Sequence, residues 1–133
     1  MNQINRYLKQ DNKSMHNLFV YGTLKRGQVN HFFLAGLPNK FAKAPHIVLH
    51  HGKSYPFARR GKGVTYGEVY RVSNRLLSKI DQLERHPDLF YRELTNVILL
   101  PQRITVSAWI YLHRHAHHHP KILKGYWQKS VFF

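Results

Sequence analysis

Phe19-Val20-Tyr21-Gly22-Thr23-Leu24-Lys25-Arg26-Gly27 is the stretch on which the reading of this chain turns. An apolar run that starts at Leu18 breaks at a glycine, and the backbone amides of Thr23 and Leu24 follow at once. Glycine reaches backbone conformations closed to other residues and puts no side chain in the way. Main-chain nitrogen is therefore open to a ligand just past the end of the strand. A bare Tyr-Gly-Thr also fits an ordinary strand-to-loop turn, so the surrounding chain has to decide.

Outward from this stretch, Leu18 to Tyr21 reads as a short strand, and residues 1–16 as a polar, basic, flexible arm without periodicity. Met15 lies just before the strand, so the arm fits an upstream start codon. Residues 27–37 read as a weak helix or loop closed by Gly36 and Pro38. Phe41 to Leu49 reads as a second strand that Pro45 pushes toward an edge or a bulge. His50 to Gly63, with Tyr55-Pro56 and the basic run Arg59-Arg60-Gly61-Lys62, reads as a loop. Val64 to Val72 is rich in β-branched and aromatic residues and is the clearest strand. Ser73 caps a helix over Asn74 to Arg85, which Pro87 stops. Tyr91 to Leu100 and Arg103 to Leu112 form two more strands joined at Pro101-Gln102. Several strands with few helices predict an α+β domain built on a mixed sheet or barrel.

Composition narrows the classes. A chain of 133 residues, 43% hydrophobic, makes one domain with a real core; it is taken as 17–133, peripheral from about 113. No run of ~20 apolar residues exists to span a membrane, and the first residues are too polar for a signal peptide. Cysteine is absent, which excludes disulfides, zinc–thiolate sites and thiol nucleophiles. A cytoplasmic location fits best. With 21 Lys and Arg against 6 Asp and Glu, the formal net charge is +15. Such a surface attracts polyanions and steers acidic ligands, yet the basic residues are scattered, which favours a general cationic surface over a nucleic-acid site.

Scarce acids make a short list of candidates: Asp11, Glu68, Asp81, Glu84, Asp88 and Glu93. On a helical wheel with Leu76 at zero, Leu77 lies near ~100°, Ile80 near ~40° and Leu83 near ~−20°. Glu84 falls near ~80°, inside this apolar arc, and Asp81 near ~140°, just outside it. The helix thus turns Glu84 toward the core or a cavity in it. A carboxylate drawn out of water has its pKa raised, the condition for acid/base work near neutral pH. The other reading is a buried Glu paired with Arg85 or Arg92. Glu68, between Tyr66 and Tyr70 on one strand face, is second, and either an exposed face or a pocket wall suits it; Asp88 and Glu93 read as solvated ion-pair partners.

The blocks Phe19 to Gln28 with Asn30-His31, Gly67-Glu68-Val69-Tyr70, and Ile80-Asp81-Gln82-Leu83-Glu84 followed by Tyr91-Arg92 occur in one order. In these the chain resembles the γ-glutamylcyclotransferase-like superfamily, in particular its γ-glutamylamine cyclotransferase, AIG2-like branch. The resemblance spans roughly residues 17–112, with weaker support from Gly125-Tyr126-Trp127. It implies a compact mixed β-barrel with flanking helices. It implies that Tyr21, Gly22, Thr23 and Leu24 bind the glutamyl or 5-oxoproline group, largely through backbone amides, and that Glu84 is the acid/base residue. Tyr91 enters as a pocket wall or hydrogen-bond donor, or else as a sheet aromatic. Arg92 fits a carboxylate holder or a surface ion pair.

The implied reaction needs no cofactor and no protein nucleophile. The substrate's α-amine attacks its own γ-amide carbonyl, closing a five-membered lactam and releasing 5-oxoproline and an amine. Tethering supplies a proximity advantage, Glu84 moves the protons, and loop amides hold the carboxylate or the developing oxyanion. Arg85 stands where relatives often carry glycine, a departure within the key block. His113, His115, His117, His118 and His119 invite a metal, since imidazole binds zinc, copper and nickel, but with no acid or thiol beside them they read as a solvated loop. A small γ-glutamyl compound is the expected partner. The competing function is a non-catalytic module of the same fold that holds nucleic acid or another acidic partner on its basic surface.

Overall fold

A computed structural model describes residues 15–129. The strands are β1 (Met15–Val20), β2 (Asn39–His51), β3 (Pro56–Ser73), β4 (Phe90–Leu99) and β5 (Ile104–His113). One α-helix, α1 (Asn74–Leu83), follows β3, and two short 3-10 turns lie at His31–Phe33 and Ala116–His118. Strand order is β1-β3-β2-β4-β5, closing back onto β1. The closure is uneven. β2 and β3 share a long antiparallel hairpin and β4 pairs with β5 along its whole length, whereas β2 meets β4 at Ala42–Leu99 and Lys43–Ile98 alone. β1 lies parallel to β5 at Leu18–Trp109, which makes the sheet mixed.

Alternation along the strands builds two apolar layers. Phe19, Val69, Leu99, Ile110 and Leu112 point into the closed sheet. Leu18, Val20, Tyr70, Val72 and Tyr111 point outward and are covered by Leu77 and Ile80 of α1. β1 is thus buried on both faces, which is why it reads as an unbroken apolar run. Ser73 caps α1, its hydroxyl accepting from the Leu76 amide at 3.1 Å.

Three expectations need correction. The segment 56–63, read as loop, is the first half of β3, in which Pro56 to Arg60 pair with His51 to Ile47 of β2. Its Arg-Gly-Lys run lies within β3, next to the bulge opposite Pro45 and Ile47. There Arg60 reaches Glu93 at 2.9 Å and the Leu94 carbonyl at 3.0 Å. Pro45 does coincide with a bulge, between Pro45 and Ile47, where His46 has φ 62°. Second, the segment after residue 113 is not peripheral: Ile122 and Trp127 join the inner core, and the Ile122 and Tyr66 amides bond to Leu49 and Gly125 carbonyls. Third, Met15 and His16, assigned to the arm, pair with Ser73 and Val72 in β1; the rest of the arm, with Asp11, lies outside the described residues. Among the described residues no helix is long and apolar enough to cross a membrane.

Candidate active site

A cavity of about 230 Å³ opens between the exit of β1 and the end of α1. Tyr21, Gly22, Thr23 and Leu24 line one side; Leu83, Glu84 and Arg85 line another; Tyr55, Pro56, Phe90 and Tyr111 supply aromatic and apolar wall. Glu84 and the loop amides, 60 residues apart in sequence, therefore share one hollow.

The end of α1 sets the position of Glu84. Glu84 is the C-cap, and the next residue, Arg85, has φ 55°. The Arg85 amide donates to Gln82 O at 3.2 Å and the His86 amide to Asp81 O at 2.9 Å. This pair of bonds is the Schellman closure, which normally takes glycine at the left-handed position. Here an arginine holds it, and the chain turns sharply so that Glu84 and Arg85 both face the cavity. Burial pushes the Glu84 carboxyl up from its usual range to about 7. Part of the side chain remains accessible to solvent, as fits a group lining an open hollow. Among the described residues no hydrogen bond or salt bridge engages that carboxylate. Neither cation offered as a partner holds it. Arg92 instead grips Asp81 with Nε at 2.8 Å and a terminal nitrogen at 3.1 Å.

Asp81, just off the apolar arc, also accepts from the Tyr111 hydroxyl at 2.6 Å. Desolvation works to raise its pKa, but the bonds from Arg92 and Tyr111 outweigh it and hold the carboxyl below the usual value. Burial and the Asp81 bond raise the Tyr111 phenol. Asp81 thus stays charged and serves to orient Tyr111.

The loop after β1 is held at several points. The Lys25 amide closes a turn on Gly22 O at 3.0 Å, and Asn30 bonds Thr23 twice, amide to carbonyl at 2.9 Å and Nδ2 to Oγ1 at 3.0 Å. The Arg26 amide donates to Glu68 Oε1 at 2.9 Å, and the Tyr70 hydroxyl donates to the same oxygen. Glu68 is therefore buried as a loop anchor rather than a pocket wall. Lys25 is buried too, its ammonium bonded to the Trp127 carbonyl and 3.6 Å from the centre of the Tyr126 ring. Burial lowers its pKa to about 8. Among the described residues, the Thr23 and Leu24 amides donate to no other group, which leaves them available on the cavity wall. Gly22 serves close approach: a Cβ there would sit 3.0 Å from the Pro56 ring. Its φ is not positive, so conformational freedom is not what the position requires.

Tyr91 is not in this cavity. It packs half-buried against the inner core, with the Arg114 guanidinium 4.4 Å from its ring centre. Successive strand residues face opposite ways, and Phe90 takes the cavity face. Tyr111 was missed in the sequence because nothing local distinguishes it from the other strand aromatics. Tyr55 was missed because long-range packing puts it there, whereas Asn30, named in the first motif block, reaches the cavity through its local bonds to Thr23. The histidines at and after the end of β5 have protein contacts of their own: His113, the last residue of β5, stacks on Phe57 at 4.0 Å, and the His119 carbonyl lies 2.6 Å from Nδ1 of His50.

Among the described residues, a closed mixed sheet is flanked by one α-helix, and a desolvated acid shares a cavity at the sheet's rim with main-chain amides that donate to no other group, the arrangement of a candidate small-ligand site. The family described as "Gamma-glutamyl cyclotransferase, AIG2-like" matches residues 18–129, and the chain belongs to it. A Drosophila melanogaster protein named "Putative gamma-glutamylcyclotransferase" is 43% identical over 112 residues, covering 73% of this chain and 69% of its own. A Vibrio cholerae protein of the same name is 33% identical over 119 residues, covering 87% and 98%. The crystal structure of an AIG2-like protein from Mus musculus superimposes with TM-score 0.70 at 25% identity, over 86% of this chain and 89% of that one.

Proposed function

We propose that this protein cyclises the γ-glutamyl group of a γ-glutamyl-amine or γ-glutamyl-amino acid, releasing 5-oxoproline and the free amine. One juxtaposition carries the reading: the raised, unbonded Glu84 carboxyl shares a hollow with the unbonded Thr23 and Leu24 amides. The substrate's α-carboxylate or its γ-carbonyl oxygen accepts from those amides, and the aromatic wall keeps the chain folded with its amine against the γ-carbon. Ionised Glu84 takes a proton from the α-ammonium and the amine attacks the γ-carbon. The new C–N bond forms and the attacking nitrogen gives up its second surplus proton to solvent, and the old C–N bond breaks as Glu84 delivers the first proton to the departing nitrogen. A carboxyl near 7 is suited to both halves of this exchange. Tyr21, whose hydroxyl is already committed to a carbonyl, acts as wall rather than donor.

The test is 5-oxoproline release from a panel of γ-glutamyl compounds, with Glu84→Gln as control. Turnover unchanged by the substitution removes Glu84 from the role. The alternative, a binding module, draws on the outer sheet face, where Phe41 and Tyr66 are 66% and 41% exposed and Lys43 lies opposite Tyr66. It requires polyanion affinity that falls steeply with salt and ignores Glu84.

A further inference from the structure

A second, larger hollow of about 710 Å³ adjoins the cavity, and Tyr55 lines both. Its walls come from the turn after β2 and from the segment that packs back after β5. Lys53, Lys124 and Lys129 line it together with the polar Ser54 and Gln128, and no acidic residue does. Among the described residues none of the three lysines is in a salt bridge. A groove of one sign raises the local concentration of ligands of the opposite sign. Once the glutamyl group occupies the first cavity, the part of the substrate beyond the scissile amide has this groove beside it.

From this we infer that the leaving amine carries a carboxylate, as a γ-glutamyl amino acid or short peptide does, and that Lys53, Lys124 and Lys129 select it over amines carrying a second ammonium. The inference rests on the proposed cyclotransferase reading and narrows its substrate class. Lys53 and Lys124 act on the departing half alone and move no proton. The bond changes are those already given: the α-amine's nitrogen joins the γ-carbon, and the carboxylate-bearing amine departs with one proton.

The experiment uses three γ-glutamyl amides of matched length, formed with β-alanine (carboxylate), propylamine (neutral) and 1,3-diaminopropane (ammonium). Binding to Glu84→Gln protein is measured by calorimetry, and 5-oxoproline release by the wild type. The carboxylate compound should bind about tenfold more tightly than the ammonium compound at low salt, the sum of several exposed charge pairs. The gap should narrow at high salt and with Lys53→Gln combined with Lys124→Gln. Equal binding of the three, or tighter binding of the ammonium compound, overturns the inference whatever the turnover. A charge preference in binding with no 5-oxoproline from any of them leaves the selective groove standing and overturns the cyclotransferase reading instead.

Discussion

The Tyr21 hydroxyl donates to the backbone carbonyl of Tyr111 at 2.6 Å, joining the exit of β1 to β5 across 90 residues of sequence. The bond lies in the wall of the cavity and fixes the residue that precedes Gly22. Tyr21→Phe leaves that carbonyl without this donor and the ring free to shift. A loss of about 1–2 kcal/mol in urea unfolding is expected, with a larger rise in KM than fall in kcat. A variant as stable as the wild type would show that the wall is held by other contacts.

Glu84→Gln should lower kcat by about 10²–10⁴. The wild-type pH profile should carry a limb near pH 7, because the ionised carboxylate is the working form. kcat/KM should then fall as pH drops below 7, and the variant's residual activity should lack that limb. A limb retained by the variant assigns it to another group.

The same carboxyl makes a prediction about stability. Its folded pKa is raised from 4.5 to about 7, so the folded state holds the proton more tightly than the unfolded chain. The stability this contributes is fully present below pH 4.5 and is lost as pH rises through 7. The loss is at most about 3 kcal/mol. Glu84→Gln removes this dependence, so the variant should gain on the wild type in urea midpoint between pH 4.5 and 7. Parallel curves would mean that the folded pKa is not raised.

Arg85 occupies the left-handed position of a Schellman closure at φ 55°. Glycine there avoids the Cβ conflict, so Arg85→Gly should stabilise by about 1 kcal/mol. Arg85→Val should destabilise by more, since a β-branched residue suits that conformation least. Thermal unfolding of the pair checks the order.

Arg92 and Asp81 form a bidentate, half-buried pair that also orients Tyr111. Arg92→Ala should cost about 1–3 kcal/mol and also removes a guanidinium lying 4.2 Å from the Trp109 ring. The Asp81 pKa is depressed, so its contribution is present above the ordinary carboxylate range and lost as pH falls through the lowered value. The difference between wild type and Arg92→Ala should therefore shrink in acid. A difference constant down to strongly acidic pH would separate the cost from this ion pair.

Much of the architecture was legible locally. The apolar run of β1, the β-branched run of Val64 to Val72, the Ser73 cap and the α1 periodicity each depend on residues within a few positions of one another. The wheel could therefore turn Glu84 inward before any packing was known. The first half of β3 was not legible, because Arg59-Arg60-Gly61-Lys62 has loop composition and is held in a strand by its β2 partner and by Glu93. Tyr91 and Tyr111 are both strand aromatics, and which one faces the cavity depends on how β4 and β5 sit against β1 and α1.

What the sequence determined by itself was the set of local choices: which segments extend, where the helix is capped, and which acid lies on its apolar side. Periodicity and capping are short-range, so the chain states them directly. Only the tertiary structure decided that Glu84 lines the same cavity as Thr23 and Leu24, that Glu68 is spent on anchoring their loop, and that the segment past residue 113 closes over Lys25 and lines the lysine groove. These depend on contacts between residues about 40 to 100 positions apart, whose formation is set by the closure of the whole sheet and by burial that no local pattern encodes.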